Sequence, residues 1–193
     1  MTMVYASVLA AVVSALAAET IDNTAKQAWQ KLYRPGHEDG HDFATLMGTD
    51  GAGLNRTDVD CWVFARLHSQ LKPRHWDVLA ARYGTHKGRK VAAIGRLCPL
   101  IPSHAPKLFV QKAVTAWAIP QMKGVDGKRS CDMIVLPKSF YDMNTWDLDA
   151  RPEQTRRRWR GDVRKRLDEM VEEALIAAGE ILEAEGVLFT EAA

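Results

Sequence analysis

The five residues His37-Glu38-Asp39-Gly40-His41 carry the spacing His-Glu-x-x-His. On a helix that spacing puts two imidazoles on one face to hold zinc, with the glutamate beside the bound water as general base. The neighbouring residues do not supply such a helix. Pro35-Gly36 precede the motif, Gly40 interrupts it, and no apolar run supports a buried metal helix. The spacing reads as a coincidence on a surface loop, so neither a metal site nor a cofactor is expected. Gly48 to Gly53 lacks the Gly-Lys-Ser/Thr ending of a phosphate-binding loop. His68, His75 and His104 read as polar surface or contact residues, and no Ser/His/Asp or Cys/His arrangement stands out. Catalytic residues are therefore not expected.

The three cysteines, Cys61, Cys98 and Cys131, are odd in number and form no Cys-x-x-Cys pair. That disfavours a disulfide framework and a cysteine-based zinc site, and fits reduced thiols in a cytoplasm. The six tryptophans in 193 residues are read as core anchors.

Charge is more informative in its distribution than in its sum, which is only +2. From Arg66 to Lys112 there are ten lysines or arginines and one acid, Asp77. From Arg151 to Arg166 there are eight bases and two acids, Glu153 and Asp162. After Arg166 there is no lysine or arginine, but there are eight acids. Two basic segments followed by an acidic tail imply local contacts with anions on an otherwise balanced chain.

Helices must position these charges. Residues 4 to 33 have apolar positions at helical spacing, with Val8, Leu9, Val12 and Leu16 followed by Ala25, Ala28, Trp29 and Leu32. The run Val4 to Ala18 has no basic residues before it and is short for a membrane span, so a buried, alanine-rich helix is expected. Residues 35 to 56 form a polar, glycine-rich loop. A helix capped by Thr57 or Asp58 then carries Val59, Trp62, Val63 and Leu67. Pro73 opens a helix that Gly84 ends. Lys90 to Leu97 is a short helix. Ser103 is the expected N-cap of another, Ala105 to Ile119. Met133 to Leu136 is extended, before Pro137. Pro152 begins a long helix toward Gly186, with Trp159, Val163, Leu167, Met170, Ala174, Ile181 and Leu182 as its stripe.

The expected fold is mainly α, with a helix-turn-helix core between a long N-terminal helix and a long C-terminal amphipathic one. Its expected segments are an N-terminal helical part and loop (1–56), a helix-turn-helix domain (57–122), a connector with a short extended piece (123–150), and an arginine-rich helix with an acidic tail (151–193).

Residues 71 to 84, LKPRHWDVLAARYG, followed by AAIGRL at 92 to 97, resemble the opening of a sigma-factor region 4 helix-turn-helix. The same pattern is similar to that of phage late-gene antitermination proteins of the Q type. The resemblance covers Leu71 to Leu97. It departs at Cys98-Pro99-Leu100-Ile101-Pro102, where that family has a tight glycine-containing turn. It implies a regulator that grips duplex DNA and acts with bacterial RNA polymerase.

A recognition helix enters the major groove N-terminus first. Ser103, His104, Lys107, Gln111 and Lys112 would then meet base edges, since Gln can read adenine and Lys guanine. Arg82, Lys87, Arg89, Lys90 and Arg96 would hold phosphates. In the second basic segment, Arg156, Arg157, Arg160 and Arg164 would line one face of the long helix, with Trp159, Val163 and Leu167 on another. This second segment could equally grip RNA, a phosphate backbone or an acidic protein partner.

The expected function is a DNA-binding phage transcription regulator in the bacterial host cytoplasm, an antiterminator or activator, with no membrane contact. Alternatives are a phage DNA-packaging protein like a small terminase subunit, or an architectural DNA-binding protein, oligomeric through the C-terminal helix. A phage inhibitor binding a host protein through its acidic tail is another. A zinc hydrolase using His37, Glu38 and His41 is the least favoured.

Overall fold

The computed structural model describes residues 5–18, 56–121 and 134–188. The fold is mainly α, with six α-helices among the described residues: α1 (Val8–Ala18), α2 (Arg56–Gln70), α3 (Pro73–Tyr83), α4 (Lys87–Leu97), α5 (Lys107–Ala118) and α6 (Glu153–Ala184). Short 3-10 turns follow α4 at Cys98–Leu100 and precede α6 at Lys138–Tyr141 and Met143–Thr145. The β content among these residues is one isolated parallel bridge, Tyr5 with Leu188. The His37–His41 motif, Cys131 and the 19–33 part of the expected N-terminal helix lie outside the described residues.

The chain divides into two compact units. The first combines the N-terminal part to Lys72 with the end of the chain from Ala174. The second runs from Pro73 to Glu173. The long helix α6 gives its first part to one and its last part to the other.

In the first unit α1 is apolar around most of its circumference and packs Ala11, Val12, Ala15 and Leu16 inward. It lies against α2, whose Val59, Val63 and Leu67 are buried at steps of four residues along one face. Gly179 of α6 admits α1 closely, because a Cβ there would sit 3.3 Å from Val8 Cγ2. The phenol of Tyr5 donates to the buried carboxylate of Asp60, and Arg56 lies over the Tyr5 ring. Burial and that carboxylate push the phenol well above its ordinary ionisation range. Arg66 pairs with Glu185 at 2.5 Å. Helix α6 ends in a Schellman motif. Gly186 is left-handed at φ 68°, Val187 N–H donates to Leu182 O, and Gly186 N–H donates to Glu183 O. Leu182 and Val187 are fully buried beside that turn.

In the second unit α3 and α4 are joined by three residues, Gly84-Thr85-His86. Gly84 is required there by proximity, since a Cβ would lie 2.4 Å from the carbonyl oxygen of Ala80. His86 caps α4, its Nδ1 accepting from Arg89 N–H. Helix α4 therefore begins at Lys87, one turn before the expected Lys90. Helix α5 begins at Lys107, with Pro106 as its cap. Ser103 is not that cap; its hydroxyl accepts from Ala105 N–H in the preceding turn. The core gathers Phe109 of α5, Trp146 just after the second 3-10 turn ahead of α6, and Trp159 of α6. Phe109 meets both tryptophans edge-on, with ring centroids 5.4 and 5.5 Å away. Trp146 Nε1–H is satisfied by Phe140 O. Ahead of the 3-10 turns, residues 134 to 137 are irregular. No helix among the described residues is long and apolar enough to cross a membrane.

Candidate nucleic-acid interface

The cations of the first basic segment separate into two groups. Arg66 pairs with Glu185 and Arg74 with Glu173, and four more are used inside the fold. Arg82 Nη1 donates to Trp117 O at 2.7 Å and its guanidinium lies over the Trp117 ring, 5.1 Å from the centroid. Lys90 Nζ reaches back to Arg82 O and Gly84 O, both at 3.2 Å, and closes the carbonyl end of α3. Lys112 Nζ donates to Thr145 O at 2.7 Å. Arg96 grips Asp77 through Nε and one terminal nitrogen. That hydrogen bond raises the guanidinium's already high pKa. Asp77 is buried within α3, so this pair fixes α4 on α3.

The second group faces water. Lys87 and Arg89 are exposed at the start of α4, and Lys107 and Gln111 are on the first turns of α5, also exposed. Ser103 and His104 are exposed on the turn that leads into α5. The opposite side of α5 is committed to the core through Phe109, Val110, Ala113, Val114 and Trp117. Among the residues expected at base edges, Lys112 is thus the one tied internally through its charged end. The connection from α4 to α5 runs from Cys98 to Pro106, longer than the three-residue corner between α3 and α4.

On α6 the buried stripe Trp159, Val163 and Leu167 defines the opposite, solvent face. Arg157 and Arg164 lie on it as expected, and Arg160 lies at its edge over the Trp146 ring, 5.6 Å from the centroid. Arg156 does not share it. It is half-buried on the inner flank, with Nε enclosed and lacking a hydrogen-bond partner. Arg158 and Lys165 take that place on the outer face, together with Gly161. Stepping by 3.6 residues from the apolar stripe points to both residues; following the arginine run alone does not.

Most ion pairs on this face are one turn long: Arg157 with Glu153 at 2.6 Å, Arg164 with Asp168 at 3.4 Å, and Lys165 with Glu169 at 4.0 Å. Exposed pairs of this kind contribute about 0.3–0.5 kcal/mol each, little enough to be exchanged for a phosphate. Asp168 has a second task, accepting Trp117 Nε1–H at 2.8 Å.

Among the described residues no group of three histidines, cysteines or acids is placed to hold a metal ion. Burial pushes the thiols of Cys61 and Cys98 upward, with Asp58 and Asp60 adding to the shift at Cys61. These are poor nucleophiles at neutral pH.

Comparison with family models, curated proteins and solved structures finds no match to the chain.

Proposed function

We propose that the protein binds duplex DNA through its helical second unit and regulates transcription. The observation that supports this best is a long stretch carrying charge of one sign. From Val78 to Val125 the chain contains no aspartate or glutamate. Within that stretch Lys87 and Arg89 on α4 and Lys107 on α5 are exposed, on two successive helices. A solvated surface ordinarily intersperses both signs, whereas a polyanion partner favours one sign and rewards each phosphate neutralised. The outer face of α6 adds Arg157, Arg158, Arg164 and Lys165 in the same unit.

The resemblance of residues 71–97 to a sigma-factor region 4 helix-turn-helix gives the regulator its proposed setting, late phage genes and bacterial RNA polymerase. A packaging or architectural role shares the DNA contact and differs in predicting stable higher oligomers.

The test is fluorescence anisotropy with duplexes from the gene's own neighbourhood at several salt concentrations. Lys107→Ala/Gln111→Ala is the informative variant, because both side chains are exposed, whereas the Lys112 ammonium is held by Thr145 O. Tight, salt-sensitive binding to one segment, weakened in the variant, is the expected result. Failure to bind any duplex at low salt overturns the proposal.

A further inference from the structure

The solvent face of α4 has a smooth centre and basic edges. Gly88, Ala92 and Gly95 lie at i, i+4 and i+7 along its middle, all exposed. A Cβ at Gly95 would meet no atom within 4 Å, and one at Gly88 would meet only the ring of His86, at 3.3 Å. Packing within the described fold therefore calls for neither glycine, although glycine is among the poorest helix formers. Lys87 and Val91 flank the strip on one side, Arg89 and Arg96 on the other, and Val91 is 57% exposed.

Two further observations concern how this face is held and what it suits. The three-residue corner, the Lys90 bonds and the Asp77–Arg96 pair fix α4 rigidly on α3, as a groove-entering helix must be fixed. The face also lies wholly within the acid-free stretch 78–125. Asp77 occupies Nε and one terminal nitrogen of Arg96, which leaves the other terminal nitrogen for a phosphate oxygen.

We infer that α4, rather than α5, is the helix that enters the major groove, its Gly88–Ala92–Gly95 strip and Val91 seated on base edges and thymine methyls, with Lys87, Arg89 and Arg96 on the flanking phosphates. This rests on the DNA-binding proposal above. Small side chains let the helix backbone approach the groove floor, where apolar contact reads the thymine methyl. A second copy of the chain is the other occupant for a smooth strip, but it would set Lys87, Arg89 and Arg96 against like charges.

The test starts from a duplex selected by the wild-type protein from a random library. Gly95→Gln is the first variant, because Gly95 is exposed and a Cβ there meets no atom within 4 Å. It is expected to keep the thermal melt and to weaken binding at least about tenfold, as a mismatched base pair does. Replacing thymine by uracil in the selected duplex is expected to cost the wild type about fourfold per methyl read, and Val91→Ala should shrink that difference. If Gly95→Gln binds like the wild type while Lys107→Ala/Gln111→Ala changes the selected sequence, α5 is the reader and the inference falls, with DNA binding intact. If Gly95→Gln dissociates an oligomer and leaves DNA affinity unchanged, the face is a self-association surface and the inference is again overturned. If the wild type selects no duplex at all, the DNA-binding proposal itself fails.

Discussion

Asp77 is the one acid between Arg66 and Lys112, and its position explains its presence. It is buried in α3 and accepts three hydrogen bonds from Arg96. Arg96→Ala would leave a buried carboxylate without its cation. The expected loss is about 2–3 kcal/mol, lowered by the exposure of the guanidinium side, read as a shift in urea midpoint. Arg96→Lys should recover little, because an ammonium cannot reproduce the two-pronged geometry. Tyr5 and Asp60 form the comparable pair in the first unit. Tyr5→Phe removes the donor to a buried carboxylate and should cost about 1–3 kcal/mol.

The same first unit, with Cys98 of the second, sets the response to alkali. The Tyr5 phenol and the Cys61 and Cys98 thiols all have folded-state pKa values above their ordinary ones. The folded chain thus keeps protons that the unfolded chain releases. The stability from these groups is complete below about pH 8.5, the ordinary thiol value, and declines progressively as pH rises past it and past about 10 for the phenol. A urea midpoint measured from neutral to strongly alkaline pH should fall, and Tyr5→Phe should show a shallower fall at the alkaline end.

At the scale of elements, three glycines behave differently on substitution, and the contrast tests the helix ends. Gly84→Ala puts a Cβ 2.4 Å from Ala80 O and forces the α3–α4 corner to shift. Gly186→Ala places a side chain at φ 68°, which costs about 1–2 kcal/mol. Gly95→Ala meets nothing and should stabilise by about 1 kcal/mol through helix propensity. Thermal melts of the three variants should therefore move down, down and up.

The helices themselves were largely legible in the sequence. Pro73 at a first turn, Gly84 past a last turn, and the stripe from Trp159 to Leu182 mark ends and faces by rules that act within one or two turns. The start of α4 was not, because His86 caps it with a ring nitrogen and histidine is not among the usual caps. Ser103 failed as a cap for a related reason. Its hydroxyl closes a turn two residues on, which local sequence permits equally well.

At the scale of the molecule, α6 carries its basic part in the second unit, together with Asp168, Glu169, Glu172 and Glu173, while its last part, with Glu180 and Glu183, belongs to the first. The basic part supplies a second candidate surface for a polyanion, on a different element from α4 and α5. Arg157→Ala/Arg158→Ala/Lys165→Ala removes three exposed cations from its outer face. The expected outcome is an unchanged melt, an unchanged preferred sequence, and a salt dependence of binding whose slope falls by about one for each phosphate no longer neutralised. An altered sequence preference would place α6 among the base-reading elements instead.

The sequence by itself determined the helical class, the positions of most breaks, the buried stripe of the long helix and the uneven spread of charge. These follow from nearest neighbours and from periodicity, which need no knowledge of the rest of the chain. Only the tertiary structure decided which cations are also bonded within the fold. Arg82 ends on the carbonyl of Trp117, Lys90 on those of Arg82 and Gly84, Lys112 on that of Thr145, and Arg96 on the carboxylate of Asp77. These four side chains reach acceptors up to 35 residues away in sequence, and those acceptors are exposed or used according to how helices pack. A count of lysines and arginines cannot tell a cation that closes a helix end from one that faces water.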